Sequence, residues 1–68
     1  MTYEYEIGTT TKNGAIVLAM DGDVVLARFL KDFVVWRCDA EGHVYWGNYF
    51  GDDLIAAVVR YNERRMKQ

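Results

Sequence analysis

Proline is absent from these 68 residues, and cysteine occurs once, at Cys38. A lone cysteine excludes an intramolecular disulfide framework, so packing has to supply nearly all the stability of so short a chain. Without proline, glycine and the acidic residues are left to mark the turns. Long apolar runs are missing too: the longest, Ala15 to Met20, is six residues, against the roughly 20 that a membrane-spanning helix needs. The first residues, MTYEYEIG, carry acids where a secretory signal has a basic start and an apolar stretch. A cytoplasmic protein that does not enter a membrane is the expectation. No glycine-rich phosphate loop, cysteine pair or nucleophile elbow is present. The sequence therefore points away from an enzyme, and no cofactor, metal or small-molecule substrate is expected.

What is present belongs to a folded protein. Hydrophobic residues make up 51% and charged residues 26%, close to the globular average, which excludes disordered and collagen-like chains. One domain over residues 1–68 is expected. The net charge is −2, and its sign is uneven. Residues 1–51 hold four bases and seven acids, a balance of −3, while residues 52–68 hold four bases and three acids, a balance of +1. Neither part is basic enough to indicate nucleic acid by charge.

Four turn signals lie about ten residues apart: Lys12-Asn13-Gly14, Asp21-Gly22-Asp23, Lys31-Asp32 and Ala40-Glu41-Gly42. They separate β-branched and aromatic runs, the signature of a meander of short antiparallel strands. Strands are expected at about 15–20, 24–30, 33–39 and 43–50, with a further edge strand at 2–7. From Asp53 the apolar period lengthens from two to 3.6, which predicts one amphipathic helix over 53–66. Leu54, Ile55, Val58, Val59, Tyr61 and Met66 fall within one arc of it, opposite Asp53, Arg60, Glu63, Arg64 and Lys67. Asp52 is the expected N-cap, and Arg64, Arg65 and Lys67 suit the negative end of the helix dipole. The fold class is α+β: an antiparallel meander of four or five strands with one C-terminal helix packed on one face.

Turn lengths predict which residues share a face. Two-residue loops at Asp21-Gly22 and Lys31-Asp32 and a three-residue loop ending at Gly42 place Ile16, Leu18, Val25, Ala27, Phe29, Val34, Trp36, Cys38, Val44 and Trp46 together. Uncharged throughout, this face is the expected seat of the helix. The other carries Val17, Ala19, Val24, Leu26, Arg28, Leu30, Phe33, Val35, Arg37, Tyr45, Gly47 and Tyr49. A face meant for water carries Thr, Lys, Glu and Ser, whereas this one sets two arginines among large apolar side chains. Leu26, Arg28, Phe33, Val35, Arg37, Tyr45 and Tyr49 are accordingly the expected protein-binding residues, on the face the helix leaves bare. The partner is a second copy or a host protein, unless residues 2–7 fold over the patch instead of pairing at the edge.

Single residues with chemical potential have plainer readings. His43 follows a turn with no converging ligand, Cys38 reads as a small core residue, and Asp21, Asp23, Asp39 and Glu41 sit where turns favour them. The aromatic run Tyr45 to Phe50 suits a strand serving both faces, with Gly47 allowing close approach, and suits a binding surface equally.

Two resemblances follow. The segments NGAIVLA, VVLARF, VVWRCDAEGHVYWGNYF and DLIAAVVRYNER resemble those of small uncharacterised proteins carried by phages and other mobile elements of Gram-positive bacteria. That resemblance implies an accessory protein that acts on a host protein as an inhibitor, and it carries over no catalytic residues. Residues 33–63, with a strand, a turn, an aromatic-glycine-aromatic strand and an alanine-bearing helix ending in Tyr61-Asn62, are similar to the ethylene-response type of DNA-binding domain and to the N-terminal domains of some mobile-element integrases. This second resemblance implies the alternative function, duplex reading by a three-stranded sheet.

Overall fold

The computed structural model describes residues 3–66; Thr2 and Lys67, expected in an edge strand and on the helix, lie outside the described residues. Four strands, β1 (Ile16–Asp21), β2 (Val24–Phe29), β3 (Asp32–Cys38) and β4 (Val44–Tyr49), precede one helix, α1 (Leu54–Arg65). The strands pair antiparallel in the order β1-β2-β3-β4. The α+β meander expected from turn spacing is the observed architecture.

The turns determine the registers. Asp21 pairs with Val24, so Gly22-Asp23 is the connection, one residue later than expected, and Gly22 takes a positive φ of 58°. Between β2 and β3 the connection is Leu30-Lys31, because Phe29 pairs with Asp32. That loop also lies one residue from its expected place, which moves the register by two and leaves the faces unchanged. The third turn forms as expected: Cys38 pairs with Val44, and Gly42 is left-handed at φ 89°.

Two β-bulges redistribute the side chains. One, between Val17 and Ala19 in β1, pairs Val17 with Ala27 and Ala19 with Leu26. The other lies opposite Trp36: Arg37 pairs with Tyr45, yet Val35 pairs with Asn48 and Val34 with Tyr49. Trp46 occupies this second bulge with φ 53°. A bulge reverses which residues face which side beyond it. Tyr49 therefore joins the Val34 and Trp36 side, and the chain leaves β4 with Phe50 packed among Val24, Leu26 and Val35.

That reversal decides where α1 goes. Phe50 N–H donates to Phe33 O and Phe33 N–H to Gly51 O, which ties the short connection to β3 on the Leu26 and Val35 side. The helix follows onto that side, where Ala57 and Tyr61 pack with Val24, Leu26 and Val35. The expected arrangement, with the helix on the Val25, Val34 and Trp36 face, is thus inverted. Its N-cap is Asp53 rather than Asp52, since Asp53 Oδ1 accepts from Ala56 N–H at 3.0 Å.

The opposite face is a second core: Ala15, Val17, Val25, Ala27, Val34, Trp36 and Cys38, with Tyr5, Met20, Phe29 and Val44 against it. Residues 3–7 form no strand. The N-terminal segment lies over this face instead, where the Tyr5 hydroxyl donates to Gly42 O and accepts from Lys12 N–H. Further along, Thr10 bridges Ile16, and Gly8 N–H donates to Val17 O. Both faces of the sheet are covered, one by α1 and one by the N-terminal segment.

Candidate protein interface

The structure divides the seven expected binding residues among four places. Leu26 and Val35 are buried beneath α1 and present nothing to a partner. Arg28 and Phe33 pair across β2 and β3 at the sheet's other end, the guanidinium 4.4 Å from the ring centroid, a cation-π stack. Arg37 and Tyr45 face each other at the rim beside α1, and Arg37 is held by the Asp23 carboxylate. Tyr49 has crossed to the other face, where its ring meets Trp36 edge-on at 6.1 Å. The expected cluster is therefore no continuous open surface. Its middle is the seat of the helix.

Sequence reasoning missed a different surface. α1 turns only Ala57, Tyr61 and Arg64 fully inward. These lie at i, i+4 and i+7, a narrow stripe on one side of the helix. The larger apolar side chains, Leu54, Ile55, Val58, Val59 and Met66, point outward, with Ile55 and Met66 each 78% exposed and Val59 53%. Of the expected helix arc, Tyr61 alone faces the core, and the other five side chains are exposed. Exposed apolar side chains gathered on one helix face are the kind of surface that marks an interaction site.

The reason for this rotation lies in the β4 bulge. The bulge at Trp46 lies where the helix brings donors to carbonyls of the sheet, and a buried carbonyl that loses its donor costs about 1–3 kcal/mol. Arg64 supplies them: its Nη1 donates to Val35 O at 3.1 Å, Trp46 O at 2.8 Å and Asn48 Oδ1 at 3.1 Å. Burial, together with nearby Arg37 and Arg60, holds the Arg64 guanidinium below its usual range, though an arginine stays charged. With Arg64 inward, Ala57 and Tyr61 share its side. Ala57 lets the backbone approach the sheet, and Tyr61, its phenol pushed up by burial, fills the space beside it. Arg65 reaches from the flank to Asp21 at 2.9 Å, and Arg60 donates to Asn48 Oδ1.

A second exposed group lies along β4, which has a neighbour on one side only. Trp46 is 74% exposed, with Tyr45 edge-on to it at 5.2 Å. Gly47 follows because a Cβ there would lie 2.6 Å from Trp36 Nε1 and 2.8 Å from the Tyr49 ring. The expectation of close backbone approach at Gly47 holds.

The remaining chemical groups lie in the core and at the turns. Cys38 is buried, and burial with Asp39 beside it pushes its thiol up, away from thiolate reactivity. Asp39 is held below the usual carboxylate range, first by the His43 N–H and then by the Glu41 N–H, both of which it accepts at 2.9 Å. It orders the β3–β4 turn, and His43 stands exposed beside it. A depression between the N-terminal segment and the β1–β2 turn is lined by Glu4, Tyr5, Met20, Asp21 and Gly22. Among the described residues no group of three His, Cys, Asp or Glu side chains is placed to hold a metal ion, and no helix is long and apolar enough to cross a membrane.

No protein-family model matches the chain, and no curated protein or solved structure is similar to it.

Proposed function

We propose that this chain is a non-catalytic protein-binding module that contacts its partner through the outward stripe of α1. The observation that carries this reading is the inverted helix: its inner side holds an alanine, a tyrosine and an arginine, while Ile55, Val59 and Met66 stand in water. Apolar side chains at i, i+4 and neighbouring positions are what a helix offers when it seats in a partner's groove. With the resemblance to mobile-element proteins, the reading makes the chain an accessory protein that acts by occupying a surface of another protein. The duplex-reading alternative draws less support, because both sheet faces are covered, one by α1 and the one away from it by the N-terminal segment.

The test is a binding titration. A protein captured by the wild-type chain is purified and titrated against wild type and Ile55→Glu by calorimetry. The variant is expected to bind at least tenfold more weakly at unchanged melting temperature. Equal affinity for both would contradict the reading.

A further inference from the structure

We infer that the Nε and Nη2 edge of the Arg64 guanidinium is the seat of a single carboxylate carried by the partner, an Asp or Glu side chain. The inference rests on the protein-binding reading and names the chemistry of one anchor, at a place apart from the outer stripe of α1.

Arg64 is only 9% exposed, and its side-chain hydrogen bonds among the described residues all leave from Nη1, to Val35 O, Trp46 O and Asn48 Oδ1. A guanidinium has five N–H donors, so the three on Nε and Nη2 meet no acceptor there. No buried side-chain nitrogen or oxygen of the described residues lacks a partner, which places Nε and Nη2 at the surface. Nε–H and one Nη2–H run parallel, the fork that takes both oxygens of a carboxylate. Trp46 and Asn48 belong to β4, the edge strand, so no further strand closes that side.

Charge sets the valence of the ligand. Among the described residues the ion pairs are Arg37 with Asp23, Arg60 with Glu63, Arg65 with Asp21 and His43 with Asp39; Arg64 forms none. Asn48 Oδ1 accepts from Arg60 as well as from Arg64, so these two guanidiniums share a neutral oxygen. Arg37 and Arg60 are each matched by an acid, and one buried positive charge is left over. Such a charge is costly until it is paired. A carboxylate complements it, whereas a phosphomonoester, at about −1.5 to −2, overshoots it. Burial, and then Arg37 and Arg60, lower the Arg64 pKa, in keeping with a site short of negative charge.

Acetate is the probe, since it carries the carboxylate and little else. As acetate replaces chloride at constant ionic strength, NMR follows the Arg64 Nε–H resonance beside that of Arg65, which already donates to Asn62. The Arg64 resonance is expected to move downfield and saturate, and that of Arg65 to stay. Arg60→Gln keeps Arg64 in place and removes one positive charge; it should weaken acetate about fivefold, the worth of one unit charge at close range in water. With the captured protein in place of acetate, Arg60→Gln should again bind more weakly than wild type. An unsaturated drift shared by both arginines would overturn the site. Tighter saturation by methyl phosphate would overturn the carboxylate, equal acetate affinity in Arg60→Gln would overturn the charge balance, and equal affinity for the captured protein would overturn the partner as its source. The acetate titration involves neither the partner nor the outer stripe, so its failure leaves the calorimetric test of Ile55→Glu standing, and failure of that test leaves the acetate result standing.

Discussion

The two sides of α1 have exchanged their usual contents. Against the sheet lie a methyl group, a phenol ring and a guanidinium; toward solvent lie Ile55, Val59 and Met66. Apolar patterning alone would rotate the helix the other way, as amphipathic helices normally do. What opposes it is hydrogen bonding at the β4 bulge, where Arg64 donates to the carbonyls of Val35 and Trp46. A polar debt in the sheet outweighs the transfer of apolar side chains into it, and the stripe left outside becomes available to a partner.

The contrast is broken most severely at Arg64. Arg64→Met removes the donors and leaves buried carbonyls unsatisfied, an expected loss of about 2–4 kcal/mol from a total that a chain this size sets at roughly 3–10 kcal/mol. Urea unfolding measures it, and Arg64→Lys should recover part. Gly47→Ala attacks the same bulge from the other side, since the added methyl collides with Trp36 and Tyr49. The expected cost is about 1–3 kcal/mol, seen as a lower denaturation midpoint. Tyr5→Phe leaves the helix side untouched and loosens the N-terminal cover by removing the hydroxyl's bonds to Gly42 and Lys12. About 1 kcal/mol is expected, with faster hydrogen exchange at the Lys12 amide. On the outer stripe, Ile55→Glu should change stability by no more than about 0.5 kcal/mol.

Much of the fold was legible. Glycine and acid clusters at ten-residue spacing mark all three hairpins, and the change of period at residue 53 marks α1. The face assignment failed for a physical reason: both faces of this sheet are apolar, so composition gives no preference for where a helix sits. The choice was made by the bulge at Trp46, a bulky residue in the left-handed region, where glycine would be the usual signal. Gly47 stood one position away and marked close packing against Trp36 instead. The helix arc was visible as a pattern, but its direction depended on carbonyls that only the register reveals. Of the seven expected binding residues, Leu26 and Val35 became core for that reason, and Tyr49 changed sides with the bulge.

The most direct test of the account is stability measured together with protein association, in parallel, for Ala57→Glu and Ile55→Glu. Opposite sides of one helix should answer oppositely. Ala57→Glu is expected to collapse the fold, and Ile55→Glu to melt with the wild type while losing association with other chains. An Ile55→Glu variant that unfolds as readily as Ala57→Glu would mean that the apolar stripe faces the sheet after all.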